Sequence, residues 1–320
     1  MRLPTVAVGR VIGANHRRDG KPCQDDVGMC RIGNRCAVAV ADGHGSSRYS
    51  EIGATLAVQA ALDELLAASC DSHLNAVQGR EREFDAIKER VVGGWVSRVK
   101  RIADSNDARL EDYGTTLIFA LASAENLILG QIGDGDLKLI HEDGRVVAPI
   151  PDDPANFADE TTSLCLDGAQ GFMQLTSMKI PPGEFMLMLS TDGYRKSYDS
   201  AAVFETVGPG YLSVIRESGV HGLEKYLPDW LEELTTNGSG DDIGVAFMYW
   251  PRAVHRAEGA TVSSDAEQPT AVVIAAGDKV QEVSLSVDDS ITSADEAVDV
   301  PHKPELGNSS ETAGSHEETK

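Results

Sequence analysis

Cys36-Ala-Val-Ala-Val-Ala-Asp42-Gly-His-Gly45 is the stretch that decides how this chain reads. Six apolar residues in a row form a strand buried on both faces, and the run stops at a carboxylate and a flexible turn. The same arrangement recurs in Leu127-Ile-Leu-Gly-Gln-Ile-Gly-Asp134-Gly-Asp136 and in Phe185-Met-Leu-Met-Leu-Ser-Thr-Asp192-Gly-Tyr194. It is inverted in Asp241-Asp-Ile-Gly-Val-Ala-Phe-Met-Tyr-Trp250, where the acid opens the strand. Buried strands deliver the residues at their ends to fixed places, so four carboxylates can meet at one edge of a core. Clustered carboxylates repel unless a cation or a proton neutralises them. Hard oxygen ligands without a Cys or His pattern point to magnesium or manganese.

Asp-Gly is also a common turn dipeptide. Asp143-Gly144, between Leu137-Lys-Leu-Ile and Arg145-Val-Val-Ala-Pro-Ile, reads as a plain hairpin. The other acids keep different company. His44-Gly45 follows Asp42-Gly43, Asp136 follows Asp134 by two residues, and Asp242 follows Asp241.

The 320 residues carry a formal net charge of -23, which argues against a nucleic-acid or anionic-membrane partner. No apolar run is long enough to span a membrane, and the first residues lack the apolar core of a signal peptide, so a cytoplasmic monomer is expected. The five cysteines include no Cys-x-x-Cys pair. They read as reduced thiols, not as a disulfide framework or a zinc site built from Cys23, Cys30 and Cys36 with His16 and His44.

Short strands are expected over 6–14 and 27–31 around a polar loop, 16–26. Helices are expected over 50–69 and from 81 to about 106. The first carries Ile52, Leu56, Leu62 and Leu66 on one stripe; in the second Phe84, Ile87, Val91, Trp95, Val99 and Ile102 recur at helical spacing, with Gly93-Gly94 weakening the middle. Strands follow over 115–122, 127–131, 137–140, 145–149, 172–177, 185–191 and 243–250. Three helical segments, 201–206, 212–218 and 223–236, precede the last strand, and a long irregular segment, 151–170, has the length of a functional lid. Short connections favour antiparallel pairing in an α+β domain. Residues 1–250 are thus one domain. The remainder, 251–320, is rich in Ser, Thr, Asp and Glu without aromatics, and reads as an acidic disordered tail.

Asp42-Gly-His-Gly, Gly114-Thr-Thr, Gly133-Asp-Gly-Asp, Ser190-Thr-Asp-Gly and Gly240-Asp-Asp occur in that order. Together they resemble the motif series of the metal-dependent Ser/Thr protein phosphatase 2C family over roughly residues 5–250. Gly20-Lys-Pro-Cys-Gln-Asp-Asp26 resembles the bacterial branch. The resemblance implies a β-sandwich of two antiparallel sheets flanked by helices, with the metals at one end. It implies hydrolysis of phosphoserine and phosphothreonine in a protein substrate by a water bridging two Mg2+ or Mn2+ ions, with a third, weaker position. On that mapping Asp42 bridges the two ions and Gly43 offers its carbonyl. Asp192 and Asp241 complete one site, Asp134 serves the third position with Asp192, and Asp25 holds metal-bound water. His44 is a candidate general acid for the leaving alkoxide, or else a structural histidine in the turn. A cognate Ser/Thr kinase is a further partner implied.

Two departures stand out. Gln24 occupies a place where the family usually has Glu, and Gly20 falls where its phosphate-binding Arg stands. Lys21, Arg18 or Arg17 is then left to supply the positive charge. The loop Asn156-Phe-Ala-Asp-Glu-Thr-Thr162 lies where a substrate-facing flap would be. Two rival readings remain. Gly240-Asp-Asp also resembles the Gly-Asp-Asp of template-dependent RNA polymerases, which need a basic channel this chain lacks. A phosphatase fold with weak or no turnover, serving as a scaffold or binding module, would tolerate Gln24 and the missing Arg.

The composition break generates a first prediction. Limited proteolysis of the full chain should leave a resistant fragment ending near residue 250, and a chain truncated there should still fold. A truncated chain that cannot fold would refute the boundary.

Overall fold

The computed structural model describes residues 3–67, 77–151 and 161–252. Strand β3, Arg35–Asp42, is buried from Cys36 to Ala41 as its apolar run requires. Its side chains divide with period two. Ala37, Ala39 and Ala41 join a cluster beneath helices, whereas Cys36, Val38 and Val40 join the core between two sheets.

β3 pairs with β2, Asp25–Ile32, and with β4, Leu117–Ala122. Strands β5, Asn126–Ile132, and β8, Gln174–Lys179, complete a sheet ordered β2-β3-β4-β5-β8. The second sheet is ordered β1-β10-β9-β6-β7. Its strands are Thr5–Val11, Ile243–Trp250, Phe185–Ser190, Asp136–His141 and Val146–Val147 for β1, β10, β9, β6 and β7. Every named pairing is antiparallel. The sheets enclose Val38, Val40, Ile118 and Leu129 with Leu187, Leu189, Met248 and Trp250. Helices α2, Ser50–Ala67, and α3, Val77–Asn106, cover the first sheet, and α6, Ala201–Asn237, covers the second. This is the expected α+β sandwich.

The hairpin at Asp143-Gly144 forms as read, with Gly144 at φ 83° and the Asp143 carboxylate accepting from Arg145 N–H. The α3 stripe also holds. Ile87, Val91, Trp95 and Val99 are buried, and the Trp95 indole N–H donates to the Gly53 carbonyl at 3.0 Å. That packing carries the helix through Gly93-Gly94.

Other elements differ from expectation for identifiable reasons. α2 lies between a sheet and α3, so its buried face is mostly small, with Ala54, Ala57, Ala60 and Ala61 beside Val58 and Leu65, and Ile52, Leu56, Leu62 and Leu66 are only partly buried around it. β1 ends at Val11, and a short helix, α1, Ala14–Asp19, stands across the expected strand end and the start of the expected polar loop; it buries no residue, so it has no apolar period to betray it. Residues 169–172 form a one-turn helix, α4, and β8 starts two residues later than expected. Residues 192–196 form another short helix, α5, where only a turn was expected. The three segments expected in 201–236 form one helical run broken at Gly219 (φ 72°, ψ 173°), with Pro209 accommodated inside it. Of the Asn156–Thr162 loop only Thr161 and Thr162 are among the described residues, and residues 253–320, the expected tail, lie outside them.

One glycine ties the fold to the site. A Cβ on Gly43 would stand 2.6 Å from the Ser50 carbonyl oxygen and 2.7 Å from that of Gln24, so the turn after β3 admits no side chain between the start of α2 and the residue that precedes β2. Gly43→Ala should cost about 1–3 kcal/mol, the usual scale of overpacking. Urea unfolding checks this; wild-type stability would contradict the contact.

Candidate metal centre

The register brings the acids together. Asp25 opens β2 and is the cross-strand partner of Asp42, which closes β3. Leu117 at the start of β4 faces Ile132 at the end of β5, so Asp134 follows at the same end of that sheet. In the second sheet Val245 of β10 faces Ser190 of β9, which places Asp241 and Asp192 together. Short bonds then join the sheets. The Thr191 hydroxyl donates to Asp25 Oδ2 at 2.7 Å, and the Gln24 N–H donates to Asp242 Oδ2 at 2.6 Å.

The Gly114-Thr-Thr motif grips Asp42 from behind. The Thr115 hydroxyl and Thr116 N–H donate to the Asp42 carbonyl, and Asp42 N–H donates to the Thr116 hydroxyl. The Gly43 N–H donates to the Gln24 carbonyl at 3.1 Å. Asp134 Oδ2 accepts from the Thr161 hydroxyl at 3.1 Å, so the last residues of the 156–162 loop touch this acid.

These carboxylates feel one another. Burial pushes Asp25 well above the ordinary carboxylate range, against the Thr191 hydrogen bond, and Asp242, Asp241 and Asp192 push it further. Burial does the same to Asp42, with Asp25, Asp192, Asp241 and Asp134 adding to it, and Asp134 is raised by burial and by Asp192. Burial lowers His44, only partly opposed by Asp134 and Asp192, which favours a neutral ring. Its backbone N–H donates to Gly114 O.

The two acids of the Gly240-Asp-Asp motif do different work. Asp241 is 44% exposed and faces the cluster. Asp242 is buried as a brace: it accepts from Gly13 N–H at 2.5 Å and from Gln24 N–H, and His16 Nδ1 lies 2.9 Å away. Asp136, offered by the sequence as company for Asp134, instead pairs with Arg195 Nε at 3.4 Å and Lys138 Nζ at 3.6 Å. Cys23 donates its thiol to the Val11 and Asp25 carbonyls, and burial, with Asp242 and Asp25 adding to it, pushes it to about 12. It is an inert filler, in keeping with the free thiols found among the described residues.

A sequence model of the family Protein phosphatase 2C matches residues 12–232. The chain belongs to the protein phosphatase 2C family. No curated protein sequence matches it. Among solved structures, the catalytic domain of the serine/threonine protein phosphatase PstP in complex with two manganese ions superposes with a TM-score of 0.54 at 20% identity, over 78% of this chain and 100% of that one. A bacterial serine phosphatase gives 0.56 at 14%, over 78% and 99%. Serine/threonine phosphatase Stp1 from Staphylococcus aureus gives 0.53 at 15%, over 79% and 98%. At these identities the likeness is one of fold.

Against that family frame, Asp25, Asp42, Asp134, Asp192 and Asp241 lie within electrostatic reach of one another, with Gly43 and His44 beside Asp42. The donors are hard oxygens on mutually repelling carboxyls, those of Asp25, Asp42 and Asp134 raised, a set that suits Mg2+ or Mn2+. Among the described residues no three His, Cys, Asp or Glu side chains already form a closed ligand set. A cation of the chain itself stands among them: Lys196 Nζ is 2.6 Å from Asp192 Oδ2 and 3.9 Å from Asp241 Oδ2. The phosphate-binding candidates are less well placed. Arg17 pairs with Glu232, Arg18 is 71% exposed beside Asp19, and Lys21 is exposed. Sequence reading missed Lys196, Thr191 and the brace role of Asp242. The spacing of Asp192 and Lys196, four apart, would have paired them had α5 been recognised as a helix.

Raised carboxyls bind protons more readily in the folded than in the unfolded chain. The metal-free protein should therefore lose stability as pH rises from about 4 through the raised values. Asp42→Asn removes one repelling charge. It should raise the melting temperature of chelator-treated protein at pH 7.5 while abolishing most of the rise that Mn2+ gives the wild type. Thermal denaturation with and without Mn2+ reads both effects, and a lower metal-free melting temperature would count against the repulsion.

Proposed function

We propose that the chain is a metal-dependent Ser/Thr protein phosphatase acting on phosphoserine and phosphothreonine in protein substrates. The observation that carries this is the meeting of Asp25, Asp42, Asp134, Asp192 and Asp241 at one end of a phosphatase 2C sandwich. Two manganese ions in PstP support the same cofactor class here.

Asp42, the Gly43 carbonyl, Asp192 and Asp241 would hold two Mg2+ or Mn2+ ions, with Asp134 and Asp192 at a third position. When bound, such ions neutralise phosphoryl oxygens and supply an activated water at neutral pH. The chain's own residues do the rest. Asp25, pinned through Oδ2 by Thr191, orients the attacking water and accepts its hydrogen bond. The inter-sheet bonds from Asp242 and Thr191 hold the acids in place during the reaction. His44 delivers a proton to the leaving alkoxide, and its lowered proton affinity makes it a stronger acid than a free imidazole whenever it is charged. Lys21 and Arg18, exposed at the end of α1, offer positive charge to the phosphate or its flanking peptide.

Manganese-dependent hydrolysis of a phosphothreonine peptide, lost in excess EDTA, is the test. Asp192→Asn should remove nearly all turnover, whereas Asp143→Asn in the hairpin should stay within about twofold, since surface changes are usually mild. Full activity after metal stripping would overturn the mechanism, and metal binding without turnover would make the chain a scaffold. His44→Gln should lower kcat for a phosphothreonine peptide far more than for p-nitrophenyl phosphate, whose leaving group needs no proton. Equal losses on both would leave His44 a structural residue.

A further inference from the structure

The acid cluster contains one cation that neither the motifs nor the reaction requires. Lys196 sits four residues after Asp192 on α5, so the two side chains share a helix face. Its ammonium is 2.6 Å from Asp192 Oδ2 and 3.9 Å from Asp241 Oδ2, and it is also felt by Asp134. Asp192 and Asp241 are the two carboxylates that would complete one divalent-ion position, and Asp192 is shared with the third. The neighbouring Arg195 is engaged elsewhere, with Nε 3.4 Å from Asp136 and a terminal nitrogen donating to the Asp134 carbonyl at 3.3 Å. Lys196 is 55% exposed, so it can swing into solvent without unpacking the core.

We propose that Lys196 is a tethered counter-cation that occupies Asp192 and Asp241 in the metal-free protein and that a divalent ion must displace in order to bind there. This rests on the phosphatase reading above. An ion that takes the Asp192 carboxylate has to break the ion pair first, so part of its binding free energy goes into releasing the ammonium. The position is thereby weakened, and its occupancy responds to metal concentration in a range where an unopposed carboxylate set would be filled. Once released, the ammonium remains beside the cleft.

The test is calorimetric titration of Mn2+ into the chelator-stripped full chain. Lys196→Met should bind its weakest ion about fivefold more tightly, the scale of a half-exposed ion pair, or bind one ion more than the wild type. Lys196→Arg, which keeps the charge, should stay closer to wild type. Lys196 should also react faster with an amine-directed reagent when Mn2+ is added to the wild-type protein, read by peptide mass spectrometry, and this measurement decides if neither variant folds. Wild-type Mn2+ affinity and stoichiometry in folded Lys196→Met, or an unchanged Lys196 reaction rate, overturns the inference alone. A wild-type chain that binds no Mn2+ overturns it together with the metal-dependent reading.

Discussion

Mutual repulsion among Asp25, Asp42, Asp134, Asp192 and Asp241 is the constraint to which one end of this sandwich answers. Left alone, the strand ends would splay to separate the charges. Two short bonds between the sheets oppose this, Thr191 to Asp25 and Gln24 N–H to Asp242. A third restraint lies within one sheet, where Thr115 and Thr116 hold the backbone of Asp42. The cost of keeping the acids close is borne by the rest of the fold. Three apolar layers, one between the sheets and one under the helices on each side, hold the strands whose ends carry the acids.

What could be read in the sequence followed from how strong and how local each signal was. The run Cys36–Ala41, stopped by Asp42-Gly43, reads as a doubly buried strand, and the structure divides its side chains between two clusters. Antiparallel pairing follows from the short connections, and the pairing then delivers each strand-end acid to the same edge. The helices with weak local signals were missed. α1 buries nothing and is fixed from outside by Asp242, while α5 has only five residues. α2 was recognised, but its buried face is mostly alanine, with Val58 and Leu65, and the stripe of Ile52, Leu56, Leu62 and Leu66 lies beside it.

The paired acids show where reading by motif runs out. Asp241 and Asp242 are identical in type and adjacent, yet one faces the cluster and the other is a buried acceptor for Gly13 and Gln24 N–H. Both lie just before β10, and what separates them is their surroundings: the N–H groups of Gly13 and Gln24 and the His16 ring capture Asp242, while Asp241 stays half exposed beside Lys196. The same brace bears on the Gln24 departure. Gln24 takes part through its backbone, donating to Asp242 and accepting from Gly43, and neither bond depends on its side chain. The turn at Gly43 is therefore built without any help from the side chain at position 24.

The apolar layers and the inter-sheet bonds, all made by the protein itself, hold the acids at one edge of the sandwich. On the phosphatase reading, metal binding would be a local exchange at that edge, unlike small metal domains whose fold and metal affinity are inseparable. In such a site a single flexible side chain can set affinity without disturbing the architecture. Lys196 has the required properties: it is anchored on α5, its charge meets Asp192, and its stem is half exposed. Asp136, held between Arg195 and Lys138, shows the opposite arrangement a few residues away, a carboxylate neutralised by its own chain. Between these two acids lies the physical distinction that sequence alone could not draw. Asp136 pairs with Arg195 and with Lys138, which also reaches Glu205, whereas Asp192 and Asp241 share the one Lys196 beside the crowded carboxyls of Asp25, Asp42 and Asp134.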